Sequence, residues 1–192
     1  MTLQLPERKR PLRLFWMQSG GCGGCTLSLI GAEGPDLLAT FEAANIEVLW
    51  HPSLSEQSGR AVIDIMERIV SGEETLDILC LEGSVMRGPN GTGRFHMMAG
   101  TDRPVMHWIS DLAAKAGHVV AVGSCAAYGG ITAAGANEVE ACGLSYDGQK
   151  EGGLLGTDFR SQSGMPVINV AGCPIHPGWL TETLHMIAAG RF

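Results

Sequence analysis

An α/β domain with a doubly wound parallel sheet is the fold class this sequence predicts, on three observations. Short, almost uniformly apolar runs recur along the chain, and such runs are strands buried on both faces. Longer segments between them carry apolar residues at helical spacing. The two kinds alternate, which is the pattern of parallel strands joined by covering helices.

Residues 1–11 read as a flexible tail that includes the one basic cluster, Arg8-Lys9-Arg10. Leu12–Met17 is an apolar run ending at Gln18-Ser19-Gly20-Gly21, so a strand runs into a loop. Gly34–Ala44 is helical, with Pro35 near its first turn. Ile46–His51 is the second strand. Gly59–Val70 places Val62, Ile65, Met66 and Ile69 on one helical face. Leu76–Leu81 is the third strand, apolar apart from Asp77. Pro104–Ala116 is a helix with Val105, Trp108, Ile109 and Leu112 on one face. His118–Val122 and Pro166–Val170 are the fourth and fifth strands, and Pro177–Ala189 closes the chain as a helix. The order matches a flavodoxin-like doubly wound sheet filling residues 12–192.

The chain has 192 residues, enough for one domain with a substantial core. Its net charge of −7 and lack of a basic stripe argue against a nucleic-acid partner. The tail is followed by no apolar run long enough for a signal peptide, and nothing approaches a transmembrane span, so the expected location is the cytoplasm, unless a partner carries the export signal. In that compartment six cysteines point to metal or redox chemistry rather than to disulfides. Charged residues are only 17% of the chain, as suits a subunit that hides surface in a partner and equally suits a compact monomer. Two long irregular segments, Gly83–Gly100 and Thr132–Met165, leave the same sheet, and segments of that length are docking surfaces or mobile loops.

Four of the cysteines fall just past strand ends. Cys22 and Cys25 follow the first strand in Gly20-Gly21-Cys22-Gly23-Gly24-Cys25-Thr26. Cys125 follows the fourth in Gly123-Ser124-Cys125-Ala126, and Cys173 follows the fifth in Gly172-Cys173-Pro174. Ligands of open α/β sheets bind at the carboxyl ends of the strands. Four thiolates meeting there match a four-cysteine iron–sulfur site. Glycines around them let the backbone pass close to a bulky group. A four-cysteine zinc site uses the same ligands and stays open on chemistry alone, although structural zinc commonly uses two CxxC pairs. Cys80, inside the third strand, reads as a small buried hydrophobe. Cys142, in the long loop, reads as a surface thiol or as filler. His51, His96, His107, His118 and His185 read as structural residues, whereas His176 stands near Cys173 and is placed to bond a cluster sulfur or a partner.

At these residues the chain resembles the small subunit of nickel–iron hydrogenases over nearly all of residues 12–190. The motifs are Leu14–Leu29 (LFWMQSGGCGGCTLSL), Leu81–Val85 (LEGSV), Val122–Ile131 (VGSCAAYGGI) and Gly172–Trp179 (GCPIHPGW). The GGCGGCT start and Trp50–Glu56 (WHPSLSE) look like the cytoplasmic H2-sensing (regulatory) and uptake types. The resemblance implies one proximal [4Fe-4S] cluster on Cys22, Cys25, Cys125 and Cys173, with Glu82 as the acidic residue beside it. Gly24 and Gly130 stand where some oxygen-tolerant relatives carry extra cysteines, so it implies an ordinary cubane. No catalytic residue is implied in this chain. The nickel–iron centre would sit on a partner large subunit, and electrons would pass to a downstream acceptor, or a signal to a kinase, in a heterodimer or higher oligomer. Typical relatives continue into a cysteine-rich domain with two more clusters, whereas this sequence ends at Phe192, as a truncated form or a single-cluster subunit would. The cluster subunit of an NADH dehydrogenase-like complex is the related alternative, and the separation of Cys22 from Cys25 counts against it.

Overall fold

The computed structural model describes residues 10–192. Residues 1–9 of the expected tail, with Arg8 and Lys9, lie outside the described residues. Arg10 is tied down: its guanidinium donates to both carboxylate oxygens of Asp77, at 2.7 and 2.9 Å.

In chain order the elements begin with β1 (Leu12–Gln18), α1 (Gly24–Ile30), α2 (Leu37–Ala43), β2 (Ile46–Trp50), α3 (Arg60–Ser71), β3 (Ile78–Glu82) and β4 (Val85–Met86). They continue with α4 (Val105–Lys115), β5 (His118–Val122), α5 (Gly123–Tyr128), a 3-10 turn (Gly130–Ala133), β6 (Ala141–Cys142), β7 (Tyr146–Asp147), β8 (Lys150–Glu151), β9 (Ile168–Val170) and α6 (Pro177–Ala188). Five strands form one parallel sheet in the order β2-β1-β3-β5-β9. This is the flavodoxin-like order, whose switch point lies between β1 and β3.

The period of two along the strands divides the core into two halves. Phe15 and Met17 of β1, Leu79 and Leu81 of β3, and Val119 and Ala121 of β5 face α3 and α4. Leu14 and Trp16, Ile78 and Cys80, and Val120 and Val122 face α1, α2 and α6. Both halves are dry, and each large side chain buried this way contributes about 1.5–3 kcal/mol. α3 meets the sheet through Val62, Ile63, Ile65, Met66 and Ile69, the helical stripe its sequence shows.

Three differences from the sequence expectation have physical causes. The helix expected over 34–44 starts at Leu37, because the Asp36 carboxylate accepts the Ala39 N–H at 2.8 Å and caps it there. The third strand runs from 78 to 82 rather than from 76 to 81. Its entry is set by Asp77, whose side chain accepts the Arg13 N–H at 2.8 Å. The two long segments are not free loops. β4 and β6 pair antiparallel, and the Glu140 carboxylate accepts the N–H groups of Asn90 and Gly91 at 2.6 and 2.9 Å. Cys142 is therefore buried filler beside Leu144, and Cys80 is buried in β3. No helix among the described residues is long and apolar enough to cross a membrane.

Candidate metal centre

Three chain segments deliver the candidate ligands to one end of the sheet, and a fourth brings Glu82. β1 leads through Ser19–Gly21 to Cys22, in the turn before α1, and to Cys25 on the first turn of α1. β5 runs straight into α5, which carries Cys125. β9 leads to Cys173 before α6. β3 ends on Glu82. The connections are cross-braced. Gly20 and Ser84 exchange backbone hydrogen bonds at 2.9 and 2.7 Å, which ties the β1 exit to the β3 exit. The Ser124 N–H donates to Gly172 O at 2.8 Å, and the Gly172 N–H donates to Ser124 Oγ at 3.2 Å. Ser28 Oγ donates to Ile175 O at 2.8 Å, joining α1 to the Cys173 loop.

Cys22, Cys25, Cys125 and Cys173 all line one cavity of about 410 Å³ including its mouth. Gly24, Glu82 and Ser124 line it too. Gly130 stands behind Cys125. His176 is not among the lining residues. It caps α6, with Nδ1 accepting the Gly178 N–H at 3.2 Å and its ring 5.8 Å from that of Trp179.

Backbone donors reach three of the sulfurs. The Gly24 N–H donates to Cys22 Sγ at 3.4 Å. The N–H groups of Ile175 and Ile131 bond Cys25 and Cys125 and pull their thiol pKa values down. Burial outweighs them, so both thiols titrate above the ordinary cysteine range. Their neighbours add to the rise: Glu82, Cys125 and Cys22 act on Cys25, and Cys173, Cys22 and Glu82 act on Cys125. Without a cationic group between them these thiols hold their protons, and iron binding has to displace them.

The donor set fits an iron–sulfur cubane: four thiols line one cavity. Glycines keep that cavity open: a Cβ on Gly123 would stand 2.5 Å from Cys25 Sγ, and one on Gly130 2.6 Å from Cys125 Sγ.

The resemblance put Glu82 beside the site, and a strand-end carboxylate is expected to pair with backbone N–H groups or to position the neighbouring loops; the structure adds the side chains that hold it. Its carboxylate is buried and accepts the Thr26 N–H at 3.0 Å, the Thr26 hydroxyl, and Trp16 Nε1–H at 3.3 Å. Thr26 adjoins Cys25, so the carboxylate anchors the ligand-bearing turn. The helices α1 and α5 were missed. They are only 7 and 6 residues long and begin in glycine, so neither shows a helical period.

The family model described as NADH ubiquinone oxidoreductase, 20 Kd subunit, matches residues 22–187, from the first candidate ligand to the last helix. The chain belongs to this family. Within the 20 Kd subunit family, its curated relatives include small subunits of hydrogenases. The F420 non-reducing hydrogenase II small subunit of Methanosarcina mazei is 30% identical over 93% of this chain and 49% of its own length. The periplasmic [NiFeSe] hydrogenase small subunit of Desulfomicrobium baculatum is 29% identical over 94% of this chain and 56% of its own. Among solved structures, the actinobacterial-type NiFe-hydrogenase from Ralstonia eutropha H16 matches with a TM-score of 0.79 at 29% identity, over 95% of this chain and 55% of that one. The chain thus spans about half the length of the curated relatives it matches.

His51, behind the site, adds a pH dependence. Burial holds its imidazole well below the usual range, at about 4, although the Glu82 charge pulls it upward. The unfolded chain binds that proton near pH 6.5, so stability present above pH 6.5 is lost as pH falls toward 4. Between pH 7 and pH 5 the protein is expected to lose about 2 kcal/mol more than a His51→Phe variant, as read from urea unfolding. Equal losses in the two proteins would refute the assignment.

Proposed function

We propose that this chain is the small, electron-transferring subunit of a nickel–iron hydrogenase, holding one [4Fe-4S] cluster on Cys22, Cys25, Cys125 and Cys173. The observation that carries this is the convergence of four thiols from three segments on one glycine-walled cavity at the carboxyl end of the sheet. When bound, such a cluster supplies one-electron storage. The chain's own groups do the rest. Cysteine thiolates hold the iron, and the N–H groups of Gly24, Ile131 and Ile175 stabilise negative charge on sulfur. The Glu82 carboxylate fixes the Cys25 turn and opposes added negative charge.

The nickel–iron centre belongs on a separate large subunit, where H2 is oxidised or sensed. Large apolar side chains on or near the ligand segments support that partner: Leu27 is 70%, Ile131 71% and Trp179 62% exposed. A downstream acceptor or a signalling kinase, with assembly beyond the heterodimer, completes the scheme. The sequence reading favours a cytoplasmic setting, although the Desulfomicrobium relative is named periplasmic.

A second reading, a cluster subunit of an NADH dehydrogenase-like complex, is favoured by the description of the family model. One preparation separates the two. The chain is co-purified anaerobically with its partner and assayed for iron, sulfide and nickel. About four irons and four sulfides per chain are expected, with nickel in the partner and H2-dependent dye reduction. Slow turnover marks a sensor and fast turnover an uptake enzyme. Iron without nickel supports the second reading, and zinc without sulfide refutes both.

A further inference from the structure

His51 is a buried polar side chain with no role in ligation. It follows β2 and is fully buried. Its Nδ1 accepts the Ser53 N–H at 3.1 Å, which puts the ring proton on Nε2. Among the described residues that Nε2 has no hydrogen-bond partner. The ring lies against Trp16, with centroids 4.8 Å apart at 42°. Trp16 Nε1–H in turn donates to Glu82, and Glu82 holds the Thr26 N–H and hydroxyl beside Cys25. A continuous series of contacts thus crosses three strands of the sheet, from the 51–55 turn to the ligand-bearing helix.

The orphaned Nε2 decides what the imidazole does. Its one ring hydrogen bond, to Ser53, anchors it to the turn, and no second bond gains from it deeper in the core. What reaches the site is the ring's face and edge, pressed on the indole. Trp16 donates to Glu82 over a long 3.3 Å, where a charge-assisted bond is ordinarily about 2.7–2.9 Å. A contact that weak depends on the indole being held in place. The geometry points to His51 as a positioning residue: its ring, packed on the indole, keeps Trp16 on Glu82, and so sets both the charge compensation of that carboxylate and the order of the Cys25 turn. This rests on the cavity being the cluster site. If Trp16 is released, Glu82 loses a donor, its charge is less compensated, and reduction beside it becomes harder.

Two variants in the anaerobically purified complex test this. His51→Asn keeps the turn, since Asn Oδ1 can accept the Ser53 N–H, but removes the ring against Trp16. His51→Phe keeps a ring there and removes the anchor. Two readouts are used: the midpoint potential of the low-temperature EPR signal, and hydrogen exchange of the 24–30 segment by mass spectrometry. His51→Asn is expected to give a more negative midpoint, with exchange of that segment about tenfold faster. His51→Phe is expected to stay near wild type in both. A His51→Asn protein with full iron and unchanged potential and exchange would overturn the proposal, as would a His51→Phe protein displaced equally far. Wild-type protein without iron would overturn the cluster assignment itself, and this inference with it.

Discussion

Replacing Cys125 with serine is expected to remove most of the cluster while leaving the sheet standing. Cys125 sits on α5, where its sulfur receives the Ile131 N–H and adjoins the cavity shared with Cys22, Cys25 and Cys173. A serine hydroxyl is a poor iron ligand near neutral pH, and three remaining thiolates hold a cubane weakly. Iron content is expected to fall by about fivefold or more, in line with the loss of a direct metal ligand. The reduced-state EPR signal should vanish or convert to that of a smaller cluster. The fold depends little on this side chain, because α5 is held by buried Ala126 and Ala127 and by the Ser124–Gly172 pair. Unfolding of the metal-free chain should change by no more than about 1 kcal/mol. An unaltered EPR spectrum would remove Cys125 from the ligand set.

Gly123→Val is the second large effect, and it acts through space rather than through a ligand. Gly123 opens α5 at φ +87°, a left-handed conformation in which a β-branched side chain costs about 1–2 kcal/mol or more. A Cβ there would also stand 2.5 Å from Cys25 Sγ. Either α5 shifts or the thiol leaves the cavity, and both displace a ligand. A stability loss of about 2–4 kcal/mol is expected, with cluster content reduced as severely as in Cys125→Ser. Gly148→Ala is the matched control. It also has positive φ, at +61°, but nothing lies within 4 Å of its Cβ. It should show only the backbone penalty and keep its iron. Full iron in Gly123→Val would mean that the cavity does not hold the cluster.

The strand-and-helix alternation was legible because burial on both faces forces apolar runs at β1, β3 and β5. The four cysteines were legible because each follows such a run within a few residues. The short helices α1 and α5 were not, since they are stabilised by the tertiary site they serve rather than by their own periodicity. The β4–β6 pairing was equally hidden, because two-residue strands carry no pattern and Glu140 makes its contacts about 50 positions away in sequence.

By itself, then, the sequence determined which residues form the central sheet, which faces are apolar, and that four cysteines follow strand ends on one rim. Those follow from local apolar patterning and from the rule that parallel strands share a carboxyl edge. Only the tertiary structure decided that the four thiols line one cavity, that His176 caps a helix outside it, and that Glu82 is held by Thr26 and Trp16 with His51 behind. Such matters depend on distances between side chains from different strands, and spacing along the chain does not encode them.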